Sequence, residues 1–216
     1  MILSADAETL WGAATGLARA AAEVSRDPGR PALLFFTDPS RTPEPWLTAA
    51  ALPRGAAVVY RSFGAADARS VAERLRRLTA ERGVRLLIGL DADLAEAVSA
   101  DGVHLPERAL DRADDLRRRH PRWQVTGAVH STATLARVRT LSAAVLSPVF
   151  AAGGTSAHRP ALGVAAFAAA VRAAPVPVYA LGGISAANVD ALTGSGACGL
   201  AGVTSIQAAF GHAVRI

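Results

Sequence analysis

The chain contains no lysine: all 23 of its basic residues are arginine. Schiff-base chemistry needs a side-chain amine, so lysine-dependent aldolase and pyridoxal-phosphate mechanisms are excluded. The chain is also alanine-rich, so compositional bias is an alternative to functional selection as the source of the absence. A single cysteine, Cys198, excludes a disulfide scaffold. No apolar run reaches the ~18–20 residues of a membrane span. The N-terminus, MILSADAETL, has no basic start followed by an apolar stretch, so no signal peptide is expected and the expected location is cytoplasmic. Aromatic residues make up only 5% of the chain, too few for a base-stacking platform. The net charge of +5 therefore does not imply nucleic acid. The arginines recur with interleaved acids, as in Arg69, Glu73, Arg74, Arg76, Arg77, Glu81 and Arg82, which is the pattern of solvated helix faces.

What the chain does have is apolar content, 51% over 216 residues, enough for one domain with a sizeable core. Residues 4–25 carry Leu10, Ala14, Leu17, Ala21 and Val24 at helical spacing, with Asp6 and Glu8 in the first turn. After Asp27-Pro28-Gly29 the pattern changes to eight short β-rich runs, at 32–37, 57–61, 84–90, 102–105, 124–130, 143–150, 176–181 and 199–203. Segments of helical period lie between most of them: 65–82, 92–100, 108–120, 132–140, 164–174 and 186–193, with a weak first crossover near 46–52. Such alternation predicts a parallel sheet covered on both faces. Eight units predict a compact (β/α)8 TIM barrel over 1–216, with 1–30 as an N-terminal helical extension. The competing doubly wound sheet requires a Gly-x-Gly-x-x-Gly loop after the first strand. Thr37-Asp38-Pro39-Ser40 stands there instead.

Barrels of this kind carry their chemistry at the C-terminal ends of the strands. Those ends read Asp38, Arg61, Asp91, His104 with Glu107, His130-Ser131, Ser147, Gly182-Gly183 and Thr204-Ser205. The Gly182-Gly183 loop, paired with Thr204 and Ser205 after strand eight, fits a phosphate-binding site, since glycines let backbone N–H groups approach an anion. His130 can exchange protons near neutral pH. His104, between Val103 and Leu105, is expected to point inward as a hydrogen-bonded core group. Ser131 can cap the next helix. Arg61 can clamp an anion, or pair with Asp38 or Glu107. The stretch 151–160 reads either as a lid bringing His158 or Arg159 to a ligand, or as an ordinary surface loop. There is no metal-ligand cluster at informative spacing.

Taken in order, several segments resemble the thiamine-phosphate synthase / thiazole tautomerase superfamily. They are Phe36-Thr37-Asp38, Ala100-Asp101-Gly102-Val103-His104-Leu105, Val129-His130-Ser131, Ser147-Pro148-Val149-Phe150, Leu181-Gly182-Gly183-Ile184 with Asn188, and Gly196-Ala197-Cys198-Gly199-Leu200-Ala201. The resemblance implies a thiazole phosphate held near strands seven and eight. It also implies one of two activities: a magnesium-dependent transferase joining a pyrimidine diphosphate to a thiazole phosphate, or a metal-free isomerase of a carboxythiazole phosphate. The chain departs from the synthase pattern. Only Arg61 survives of Gln-x-Arg-x-Lys, Gly89-Leu90 replaces Asn-Asp, Pro106-Glu107-Arg108 replaces the Gly-Gln segment, and the Thr-x-Thr-Lys loop is absent.

These losses fall on magnesium and diphosphate ligands, whereas Val129-His130-Ser131 matches the tautomerases. The expectation is therefore an isomerase with His130 as acid/base, Arg61, Gly182, Gly183, Thr204 and Ser205 as substrate ligands, and Asp38, His104, Glu107 and Ser131 as further candidates. No cofactor is expected, with magnesium only if the chain is a divergent synthase. A non-catalytic barrel that binds thiazole or thiamine phosphates is the third reading. The expected partner is a small phosphorylated thiazole, not nucleic acid or membrane. The oligomeric state stays open, self-association included.

Overall fold

A computed structural model describes residues 3–25, 29–153 and 159–211. Eight parallel strands close into a barrel in sequence order, β1 to β8. They are β1 Leu33–Phe36, β2 Ala57–Tyr60, β3 Arg85–Gly89, β4 Gly102–Leu105, β5 Gln124–Val129, β6 Ala143–Leu146, β7 Val178–Leu181 and β8 Leu200–Gly202. The register between β8 and β1, Leu33↔Leu200 to Phe35↔Gly202, completes the ring. The expected (β/α)8 barrel with an added N-terminal helix is what forms.

Strand residues alternate between two cores. Leu34, Phe36, Val59, Leu87, Val145, Tyr179 and Ala201 fill the barrel interior. Leu33, Phe35, Val58, Leu86, Ile88, Val103, Leu105, Val125 and Leu146 face the surrounding helices. Period-two alternation with both faces buried explains why the strands read as near-continuous apolar runs.

The outer layer comprises α1 Ala5–Ser25, α2 Pro45–Ala49, α3 Ala68–Arg82, α4 Ala92–Ala97, α5 Ala113–Arg119, α6 Thr132–Leu135, α7 Gly163–Ala173 and α8 Thr204–Phe210. Ala7, Leu10, Ala14 and Leu17 of α1 join the outer core, while Ala21 reaches the interior cluster. The N-terminal helix thus both joins the ring and closes the barrel floor.

Several crossovers are shorter than helical periodicity predicts. The 92–100 segment turns at Ser99 (φ 53°), and the 132–140 segment is a single turn. A 3₁₀ helix, Glu107–Arg112, precedes α5, and 186–193 contributes only the 3₁₀ turn Val189–Leu192. The sixth strand stops at Leu146 rather than near 150. The cis Ser147–Pro148 bond follows, and Pro148 has no N–H for a ladder. Val149 and Phe150 instead donate to Leu181 and Gly182 across the next loop (2.9 and 3.0 Å).

Closure depends on Gly199 (φ +153°), where an added Cβ would stand 2.3 Å from the Ala32 carbonyl that accepts the Leu200 N–H. Gly199→Ala is expected to lower stability by about 3 kcal/mol or more. Gly16→Ala, on an exposed turn of α1 with open space around it, is expected to raise it by roughly 0.5–1 kcal/mol. Urea unfolding midpoints of the two variants check both.

Candidate functional site

Closure brings the C-terminal ends of all eight strands to one mouth. Two connected hollows open there, sharing Arg61, Leu181 and Val203 in their walls. A third depression, of about 560 Å³, lies at the opposite end around Arg85, Asp101 and Trp123. Its acid is already committed: Asp101 accepts from Arg76 and from the Leu86 N–H, each at 2.7 Å. The mouth, where polar residues from several strand ends converge, is the candidate site.

The smaller hollow, about 370 Å³, lies between the β7 and β8 loops and is lined by Gly182, Gly183, Thr204, Ser205, Arg41 and Arg61 among others. Gly182 and Gly183 both have positive φ (103° and 66°). A Cβ at Gly183 would stand 2.4 Å from the Ala151 carbonyl oxygen, so only glycine passes there. Asn188 fixes this loop, donating to the Gly183 carbonyl (2.8 Å) and accepting from the Ser185 N–H (2.9 Å). The result is a small, rigid, cation-edged cradle suited to a phosphate-sized anion.

The larger hollow, about 620 Å³, is lined by Phe36, Arg61, Phe63, Asp91, His104, Arg108, His130, Ser147 and Arg159 among others. Arg61 is its anchor. Its Nε donates to the Thr37 carbonyl (2.7 Å), and its own N–H donates to Thr37 Oγ1 (2.9 Å). The guanidinium lies between the rings of Phe36 and Phe63, 5.5 and 5.3 Å from their centroids. Nη2 stands 3.6 Å from Asp38 Oδ2, too far for a hydrogen bond, and is buried without a hydrogen-bond partner among the described residues.

Asp38 lines neither hollow. It accepts from Ser40 and Arg41 (2.8 and 2.9 Å) and so holds Arg41 at the cradle's edge. Burial pushes its pKa up, but hydrogen bonds from Arg41 and Ser40 outweigh this and keep the carboxyl well below the usual carboxylate range.

His130, half-buried, hydrogen-bonds Ser147 Oγ through Nδ1 (3.2 Å). Burial, then the charge of Arg159, lowers its pKa, against a smaller opposing effect of Glu107. The ring is neutral at neutral pH. His104 points into the barrel as its strand parity requires. Its Nδ1 lies 3.0 Å from Thr126 Oγ1 and its ring meets Phe36 edge-on at 4.8 Å. Burial, then Arg61 and His130, pushes its pKa down to about 3.

Two further sequence candidates, besides Asp38, stand apart from the hollows. Ser131 caps α6, accepting from the Thr134 N–H (3.0 Å). Glu107 lines a separate depression with Leu110, Thr134 and Arg137. His158 falls outside the described residues. Arg41, Phe63 and Arg108 line the site without having been singled out from the sequence. In an arginine-rich chain nothing local separates Arg41 and Arg108 from surface arginines, and Phe63 sits three residues beyond Tyr60, the last residue of β2.

Because the unfolded His104 titrates near ~6.5 and the folded one near 3, only the unfolded chain takes up this proton between those values. Stability is therefore lost as pH falls through that window, by at most about 1.4 kcal/mol per pH unit from this group. Replacing it by His104→Gln is expected to flatten that slope between pH 6 and pH 4, measured by urea unfolding at each pH.

A model of the family described as thiamine monophosphate synthase matches residues 33–206. The thiamine-phosphate synthase of Methanoculleus marisnigri is 33% identical over 142 residues, covering 65% of this chain and 67% of that one. The thiamine-phosphate synthase of Limosilactobacillus fermentum is 30% identical over 182 residues, 80% and 85% of the two chains. Among solved structures, the thiamine phosphate pyrophosphorylase from Pyrococcus furiosus superposes with a TM-score of 0.69 at 23% identity, over 83% of this chain and 91% of that one, a likeness of fold. These findings overturn the isomerase expectation. Loss of single ligands weighed too heavily there, and the Val129-His130-Ser131 match, three residues long, too much against a likeness spanning the barrel. From β1 to the start of α8, the chain belongs to the thiamine monophosphate synthase family.

Proposed function

We propose that the chain is a transferase that joins a pyrimidine diphosphate to a thiazole phosphate, a divergent thiamine-phosphate synthase. The observation that carries this reading is the pair of connected hollows meeting at Arg61, one for each phosphorylated substrate. Gly182, Gly183, Thr204 and Ser205 would hold the thiazole phosphate, with Arg41 at the edge. The larger hollow would take the pyrimidine and its diphosphate. Its apolar wall of Phe36, Ala128, Val145 and Leu181 suits a flat ring. His130, neutral and oriented by Ser147, would offer Nε2 as a hydrogen-bonding group to that ring.

The family's reaction uses magnesium on the diphosphate, and the donors present here do not fit that ion. Among the described residues Asp91 is the one carboxylate lining the larger hollow, and its Oδ1 already accepts the Leu94 N–H as the cap of α4 (2.9 Å). Leu90 precedes it at φ 67°, ending the strand where the family pattern places Asn-Asp. Glu107 opens the 3₁₀ helix and lines another depression. Among the described residues no three His, Cys, Asp or Glu side chains group as metal ligands.

Joining the two substrates releases diphosphate, and the developing negative charge has to be stabilised within the hollow. Arg61 is held by the Thr37 backbone and two aromatic rings, so it meets that charge with little reorganisation. The test is turnover of purified protein with thiazole phosphate and pyrimidine diphosphate, followed as thiamine phosphate. Formation of thiamine phosphate is expected. Arg61→Gln is expected to lower kcat/KM by about 100-fold or more, equivalent to about 2.7 kcal/mol of lost transition-state stabilisation. Absence of thiamine phosphate from the unmodified protein, with and without magnesium, would overturn the reading.

A further inference from the structure

The wall of the larger hollow holds an excess of positive charge. Arg61 leaves β2, Arg108 lies in the 3₁₀ helix after β4, and Arg159 follows β6. Three separate elements thus bring guanidinium groups to one space of about 620 Å³, whose only lining carboxylate among the described residues is Asp91, with Asp38 behind Arg61 at 3.6 Å. Several arginines elsewhere are paired at short range: Arg76 to Asp101 (2.7 Å), Arg119 to Asp115 (2.6 Å) and Arg41 to Asp38 (2.9 Å), whereas Arg61 stands 3.6 Å from Asp38. Arg108 and Arg159 make no ion pair or hydrogen bond with a described residue, and the buried Nη2 of Arg61 has no hydrogen-bond partner among them.

A divalent cation entering this space would meet three like charges and one carboxylate oxygen not already used. A diphosphate would meet the forked donors of Arg108 and Arg159, whose planar geometry matches its oxygens, and the charge of Arg61, whose Nε is already held by the Thr37 carbonyl. We infer that this chain binds the diphosphate end of its substrate through Arg61, Arg108 and Arg159 without a divalent metal ion, the guanidinium groups supplying the positive charge that magnesium supplies elsewhere. This inference rests on the synthase reading for the identity of the substrate, but the charge arrangement stands apart from it. Guanidinium groups cannot be removed by chelation and do not titrate near neutral pH, so the site keeps its charge under conditions that strip metals.

The test uses the full chain and inorganic diphosphate, titrated calorimetrically in buffer containing EDTA and again with magnesium in place of EDTA. Binding in EDTA is expected, with no tightening when magnesium is supplied. Arg108→Gln and Arg159→Gln are each expected to weaken it by about 10-fold, and the double variant by about 100-fold. Both residues are exposed, and unchanged circular dichroism and urea midpoints would show that the variants fold. Arg117→Gln, on the far side of α5 where it donates to the Thr140 carbonyl (2.8 Å), is expected to leave binding unchanged.

Binding that requires magnesium would overturn the inference. So would binding that persists equally in the double variant, which would be surface attraction to a net-positive protein. Diphosphate bound in EDTA without thiamine phosphate formation would leave the arginine site standing and remove the synthase reading. Thiamine phosphate formed only with magnesium, alongside magnesium-dependent diphosphate binding, would do the reverse.

Discussion

The hydrogen-bonded seam between β8 and β1 is the constraint on which the site depends. Each strand brings only three to six residues to the sheet, too few to hold a fixed mouth as an open edge. Once Leu200 donates to the Ala32 carbonyl (3.0 Å) and the ring is closed, the strand ends face one another across a single opening. Residues from β1, β3, β4, β5, β6, β7 and β8, far apart in the chain, then share one wall with Arg61, which follows β2. Closure also sets side-chain parity. Phe36, His104 and Val145 point inward because Phe35, Val103, Leu105 and Leu146 point to the helices.

Within that frame Arg61 links the barrel to the ligand space. The Thr37 backbone and side chain on the neighbouring strand fix it from one side, and Phe36 and Phe63 sandwich it. It is present in the walls of both hollows. Burying a cation this far is tolerated where its donors are satisfied, yet one buried nitrogen lacks a hydrogen-bond partner among the described residues. The two histidines play a quieter part. Each has one ring nitrogen occupied by a neighbouring hydroxyl and a pKa lowered by burial, so neither adds charge to a mouth already rich in guanidinium.

The correction from isomerase to synthase-family member has a physical origin. Residue-by-residue loss of ligands argues against an activity only if no other group can serve the same electrostatic purpose. Gly89-Leu90 and Pro106-Glu107-Arg108 do remove the carboxylates and amides that the family pattern places there. The same segment, however, puts Arg108 in the wall of the larger hollow. A loss read along the sequence is thus accompanied by a gain that becomes visible only when the loops are folded against one another.

The sequence by itself determined the barrel: eight β-rich runs alternating with helical segments, an amphipathic first helix, and glycines placed where loops seven and eight must turn. Short-range periodicity carries that information because backbone geometry is local. It also determined that His104 faces inward, since parity along a strand is a local property. Tertiary structure alone decided which polar residues meet. Glu107 was carried to another depression, away from both hollows, whereas the capping of α6 by Ser131 was already local to the sequence. Arg41, Arg108 and Phe63 were brought to the mouth by loops whose courses depend on contacts with distant strands. Charged and aromatic residues look alike along an arginine-rich chain; which of them reaches a ligand depends on the direction of a turn, and that is set by packing between segments the sequence does not place side by side.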